Sequence, residues 1–230
     1  MTKRTKLYIA FTIVSGGALV CSCLASECAV KHSDAYLVYC LLAWLSSALK
    51  VRLPGITGTI SVNFLFILIA VAEFTFPGTV LLASVACVVQ CLWRPKSRPR
   101  LVQVAFNVAT LAISSGAAYK LSHAFAGADA HLGVLLAVAA VFYFAADTLL
   151  ISGVLSLVQN KSLFTVWQQC YLWSFPYYLV GAAIAALAVE TDRALGWVMS
   201  LLILPLMYLV YVFYRICVGR FATTSVAASP

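Results

Sequence analysis

Eight apolar runs follow one another along this chain, roughly 7–25, 35–49, 56–72, 78–93, 101–119, 132–158, 166–189 and 194–217, and the short stretches between them hold most of the charge. A helix of about 20 apolar residues crosses the ~30 Å hydrocarbon layer of a bilayer. Of the 230 residues, 63% are hydrophobic and 10% are charged. That is too little charge to cover a water-soluble globule, where about 25% is usual. The sequence therefore predicts an all-α fold, a polytopic integral membrane helix bundle over residues 1–217 with a short cytoplasmic tail, 218–230. Runs 56–72 and 78–93 are short and are separated only by the Phe76-Pro77-Gly78 break, so a tight outer turn and a partly inserted hairpin both fit. The expected count is about eight membrane segments, within a range of six to eight. Lys3, Arg4 and Lys6 precede a long first run with many more behind it, which favours a retained span over a cleaved signal peptide.

Orientation follows from Lys and Arg, which concentrate in cytoplasmic loops. With the N-terminus inside, Lys3, Arg4, Lys6, Lys50, Arg52, Arg94, Lys96, Arg98, Arg100, Lys161, Arg215 and Arg220 fall on one side, and Lys31, Lys120 and Arg193 on the other. This bias predicts that both termini are cytoplasmic, and it supports an even count, because one span more or fewer would misplace the later loops. The basic loop Arg94–Arg100 is expected to lie against anionic lipid headgroups. Docking of a cytoplasmic partner at Arg94, Lys96, Arg98 and Arg100 is the alternative. With no interleaved aromatics and no fold around it, the loop is no nucleic-acid site. Over Lys50–Ser61, Pro54, Gly55 and Gly58 prevent a regular helix. That segment reads as an inner gate or as an ordinary inner connection.

Asp147 stands apart from the other acidic residues, which fall in outer loops or at helix ends. It lies near the middle of an apolar run, in Phe142-Tyr-Phe-Ala-Ala-Asp147-Thr. An intramembrane carboxylate costs several kcal/mol unless it is paired or protonated, so it marks a functional site by default. Tyr143, one turn earlier, shares its face. Gln103, Asn107, Thr110 and Ser114 follow helical spacing and predict a polar stripe turned to the bundle interior. At about 1.5 Å per residue, Asn63, Asn107 and Asp147 reach similar depths and could share one polar cluster. The competing reading is structural, since polar side chains also hydrogen-bond helices together in lipid, contributing about 0.6–2 kcal/mol each. In run 166–189, Trp167 fits an interfacial belt, Pro176 predicts a kink, and Trp173 and Tyr177 are either wall residues of an apolar pocket or core packing.

The eight cysteines, among them Cys87 and Cys91, read mostly as packing residues. The three histidines all fall in predicted outer segments without metal-ligand spacing, and no His or Lys sits in mid-span. Intramembrane haem ligation, a Ser/His dyad and a retinal Schiff base are thereby disfavoured. The chain is expected to be no enzyme and to hold no cofactor or metal.

The stretch Leu49-Lys-Val-Arg-Leu-Pro-Gly-Ile-Thr-Gly-Thr-Ile-Ser-Val-Asn63 resembles the membrane-associated sensor (MASE-like) modules that precede GGDEF or HD-GYP domains in bacteria. Val104-Ala-Phe-Asn107, Phe142–Thr148 and Val166-Trp-Gln-Gln are also similar to that group, so the likeness spans about residues 49–190. The Leu-Pro-Gly stretch is more weakly similar to substrate-binding S components of energy-coupling-factor transporters. The first resemblance implies a multi-pass protein of the bacterial inner membrane that responds to a small or lipophilic molecule, although here only Val218–Pro230 follows the last run, where such modules carry an output domain.

Three functions follow as expectations. The first is a sensory or ligand-binding module with its site at Asn63, Asn107, Tyr143, Asp147, Trp173 and Tyr177. The second is a transporter component using Asp147, and the third a structural subunit of a membrane complex. Expected partners are lipids, a small-molecule ligand and further copies of the chain.

Overall fold

The computed structural model describes residues 2–26, 33–46, 50–52, 59–61, 63–93, 99–127, 131–170, 172–195 and 212. The run 194–217 therefore lies almost wholly outside the described residues, as do Arg94, Lys96, Arg98 and the tail. The architecture is helical: α1 (Lys3–Ala25), α2 (Ser33–Ser46), α3 (Phe64–Glu73), α4 (Phe76–Leu92), α5 (Leu101–Ala126), α6 (Leu132–Gln159), α7 (Leu163–Cys170), a 3-10 turn (Leu172–Ser174) and α8 (Phe175–Leu195). One feature departs from an all-helical bundle. The proline- and glycine-rich segment before α3 is flanked by a two-stranded antiparallel ribbon, β1 (Lys50–Arg52) and β2 (Thr59–Ser61), with Val51 opposite Ile60.

Among the described residues three helices, α1, α5 and α6, are long and apolar enough to cross a membrane. Their outer faces carry Leu7, Phe11, Val14, Leu101, Val102 and Val134 in the open. Such apolar exposure is unfavourable in water and costless in lipid. α3 is the opposite case. Its ten residues reach about 15 Å, half of a bilayer core, and Phe64–Val71 are all buried inside protein. The shortest apolar helix thus forms the centre of the bundle.

Local chemistry sets the breaks. Thr75 caps α4 by accepting a hydrogen bond from the Gly78 amide at 3.3 Å. Pro77 sits in the first turn of α4, where its missing N–H costs nothing. The Phe76-Pro77-Gly78 break expected between two runs is therefore the start of a helix. Pro176 behaves alike. The chain leaves the helical path after α7, passes through the 3-10 turn and restarts at Phe175, with Pro176 as the second residue of α8. A helix start replaces the expected mid-helix kink.

Contacts define the two ends. Thr5 donates to the Leu157 carbonyl at 3.4 Å, and the rings of Trp44 and Trp93 stand 6.4 Å apart. At the far end, Tyr36 donates to the Gly78 carbonyl at 3.2 Å, Lys120 lies 4.7 Å from the Phe76 ring centroid, and Arg193 pairs with Glu73 at 2.8 Å. Among the described residues, the first end gathers Lys3, Arg4, Lys6, Lys50, Arg52, Arg100 and Lys161, whereas Lys120 and Arg193 occupy the second. Close helix approach uses small residues: a Cβ on Gly16 would collide with Ala109 of α5, and one on Gly153 with the Tyr8 ring.

A buried polar centre as the candidate functional site

On α6, Leu136, Ala140, Tyr143 and Asp147 recur at intervals of 4, 3 and 4 residues, and all four are buried. The first three belong to the main apolar core, so Asp147 closes its lower end on the same face. On α5, Thr110, Ser114 and Ala118 recur every four residues, and Ala118 lies in that core too. α1 serves as a ruler for depth. Thr5 donates to the Leu157 carbonyl of α6 at 3.4 Å, while Gly16, eleven residues on, abuts Ala109 of α5. At about 1.5 Å per residue, Asp147 and Thr110 stand within about one helical turn of the same level.

A short stretch of α4 joins the remaining polar groups. Asn63, buried at the start of α3, donates from Nδ2 to Gln90 Oε1 at 3.4 Å. Cys87 is buried on α4, one turn before Cys91. Asn107 donates to Cys91 Sγ at 3.5 Å. Asn63 thus reaches Gln90 and Asn107 reaches Cys91 on one stretch of α4. Asn107 is itself exposed, and Gln103 is exposed as well, accepting at Oε1 from the Arg100 amide at 3.0 Å. Of the expected stripe, only Thr110 and Ser114 are buried. Ser84, Cys87 and Cys91, at helical spacing on α4, carried the signal for this meeting point, but cysteines in apolar runs read as packing.

Aromatic rings close the centre from above. Phe64 packs against Tyr177 and Tyr178 with centroids 5.0 and 4.8 Å away, and Tyr143 stands 6.1 Å from Tyr178. Trp167 is half-buried. It donates from Nε1 to Thr148 Oγ1 at 2.9 Å and packs beside Phe144, which ties α7 to α6 next to Asp147. Trp173 falls in the 3-10 turn, and its side chain lies outside the described residues.

Hydrogen-bond supply is uneven here. Thr12, Ser84 and Thr148 return their hydroxyls to carbonyls of their own helices, the usual fate of a helical Ser or Thr. Thr110 Oγ1, Ser114 Oγ and Asp147 Oδ1 are buried and have no hydrogen-bond partner among the described residues. Leaving such an atom unsatisfied costs about 1–3 kcal/mol, more for a charge. Chemically, the centre offers oxygen lone pairs at the base of an aromatic-lined core.

No protein-family model, curated protein or solved structure matches the chain. The site is therefore read from its own geometry.

Proposed function

We propose that this chain is a multi-pass protein of the bacterial inner membrane, with about eight membrane-inserted segments and both termini cytoplasmic, and that it is a non-enzymatic sensory or ligand-binding module. Its site takes a small molecule at the level of Asp147. The observation that carries this reading is the Asp147 carboxylate itself, buried at 9% exposure with Oδ1 unpartnered. A group that only tied helices together would be expected to spend its hydrogen bonds on a neighbouring helix, as Tyr8 and Trp167 do. The seven basic residues at one end against two at the other support the orientation.

Native mass spectrometry of the detergent-purified chain tests the reading. The expected result is a co-purifying small molecule that is absent from Asp147→Ala. The same species retained by that variant would remove Asp147 from the site, and a stable heteromer without a ligand would instead favour the structural-subunit reading.

Transport is the second reading. It is favoured by the break between α7 and α8 and by the short central α3, since helices that end at mid-depth commonly frame transporter sites. Substrate uptake by proteoliposomes that Asp147→Asn abolishes would move the assignment to transport.

A further inference from the structure

We infer that Asp147, Thr110 and Ser114 form a binding site for one compact monovalent cation. The inference rests on the ligand-binding reading above and names the chemistry of its guest. Three buried oxygens, one on α6 and two on successive turns of α5, lack partners among the described residues. They are buried on two helices that pack together, Thr110 near the level of Asp147 and Ser114 one turn beyond it. A carboxylate oxygen and two hydroxyl oxygens are lone-pair donors suited to a hard cation. They also suit the hydrogens of a primary ammonium group.

Charge fixes the valence. Among the described residues no Lys, Arg or His is buried; those described lie at the ends of the bundle. An ionised Asp147 has no buried Lys, Arg or His to compensate it among the described residues. A single positive charge neutralises an ionised carboxylate, whereas a divalent ion would leave one net charge buried. A neutral, lone-pair-bearing guest would leave Oδ1 as unsatisfied as before.

Thermal unfolding of the purified chain in choline-based buffer, at fixed chloride concentration, tests this. Choline, bulky and without an N–H to donate, is the reference cation. Sodium chloride and methylammonium chloride are the probes, and they separate an inorganic ion from an amine ligand. The expected result is a saturable rise in Tm with one of them, about 5 °C at about 100 times its Kd. The rise should vanish in Asp147→Asn, and its half-saturating concentration should increase at least about tenfold in Thr110→Val and in Ser114→Ala. Thr191→Val, whose hydroxyl bonds the Leu187 carbonyl at the far end, should keep the full effect. Should Asp147→Asn fail to fold, the two hydroxyl variants carry the test. Equal Tm in sodium, methylammonium and choline, an effect surviving Asp147→Asn, unchanged affinity in both hydroxyl variants, or stronger stabilisation by calcium would each overturn the site. Loss of the co-purifying molecule in Asp147→Ala without any cation effect would leave the ligand-binding reading standing and remove this one alone.

Discussion

The ring of Phe64 fills the space beside Gly181 that a methyl group would need, which seats the start of α3 against α8. That contact holds α3, whose residues Phe64–Val71 are all buried. Gly181→Ala is expected to displace the ring and destabilise the chain by about 1–3 kcal/mol, the usual penalty for overpacking a core. Gly17→Ala, where nothing stands within 4 Å, is the matched control and should be neutral or slightly stabilising. Unfolding in mixed micelles checks the pair, and equal losses at both positions would contradict the packing described.

The link from α7 to α6 runs through one hydrogen bond, from Trp167 Nε1 to Thr148 Oγ1. Trp167→Phe and Thr148→Val should each destabilise, and a double-mutant cycle should return a coupling of about 0.6–1.7 kcal/mol. Strict additivity would mean that the bond contributes nothing to stability.

At the far end, Tyr39 donates to the Asp192 carboxylate while Arg193 pairs with Glu73. The two contacts should differ in weight. Glu73→Gln removes a pair exposed to solvent and should cost less than about 1 kcal/mol, diminishing further in high salt. Tyr39→Phe removes a half-buried bond to a charged acceptor and should cost about 1.5–3 kcal/mol with little salt dependence. Denaturation at low and high sodium chloride distinguishes them.

Much of this was written in the sequence. The apolar runs place α1, α5 and α6, the basic residues sort to one end, and Asp147 is visible as a carboxylate with no reason to be in an apolar run. Depth along a face was less legible. Gln103, Asn107, Thr110, Ser114 and Ala118 share one side of α5, and lipid is as apolar as a protein core, so the pattern does not mark where burial begins. Asn107 and Gln103 are exposed because the first turns of α5 lie near the basic end, where Gln103 Oε1 caps the Arg100 amide. Pro77 and Pro176 signalled interruptions correctly, but proline is equally at home in a helix's first turn, and only the surrounding chain decides which role it takes. The part played by Cys87 and Cys91 depends on which helix α4 meets, and that is a tertiary fact.

The account turns on why a lone carboxylate is kept in the core. Unfolding of Asp147→Asn against the unsubstituted chain, both stripped of small molecules in choline buffer, measures this directly. The side chains are nearly isosteric, and only one carries a charge that is costly to bury. If Asp147 is held for binding, the asparagine variant should be at least as stable, and more stable by about 1 kcal/mol or more if the carboxylate is charged. A loss of about 2 kcal/mol or more would show that the carboxylate holds the helices together, and the binding centre described here would be contradicted.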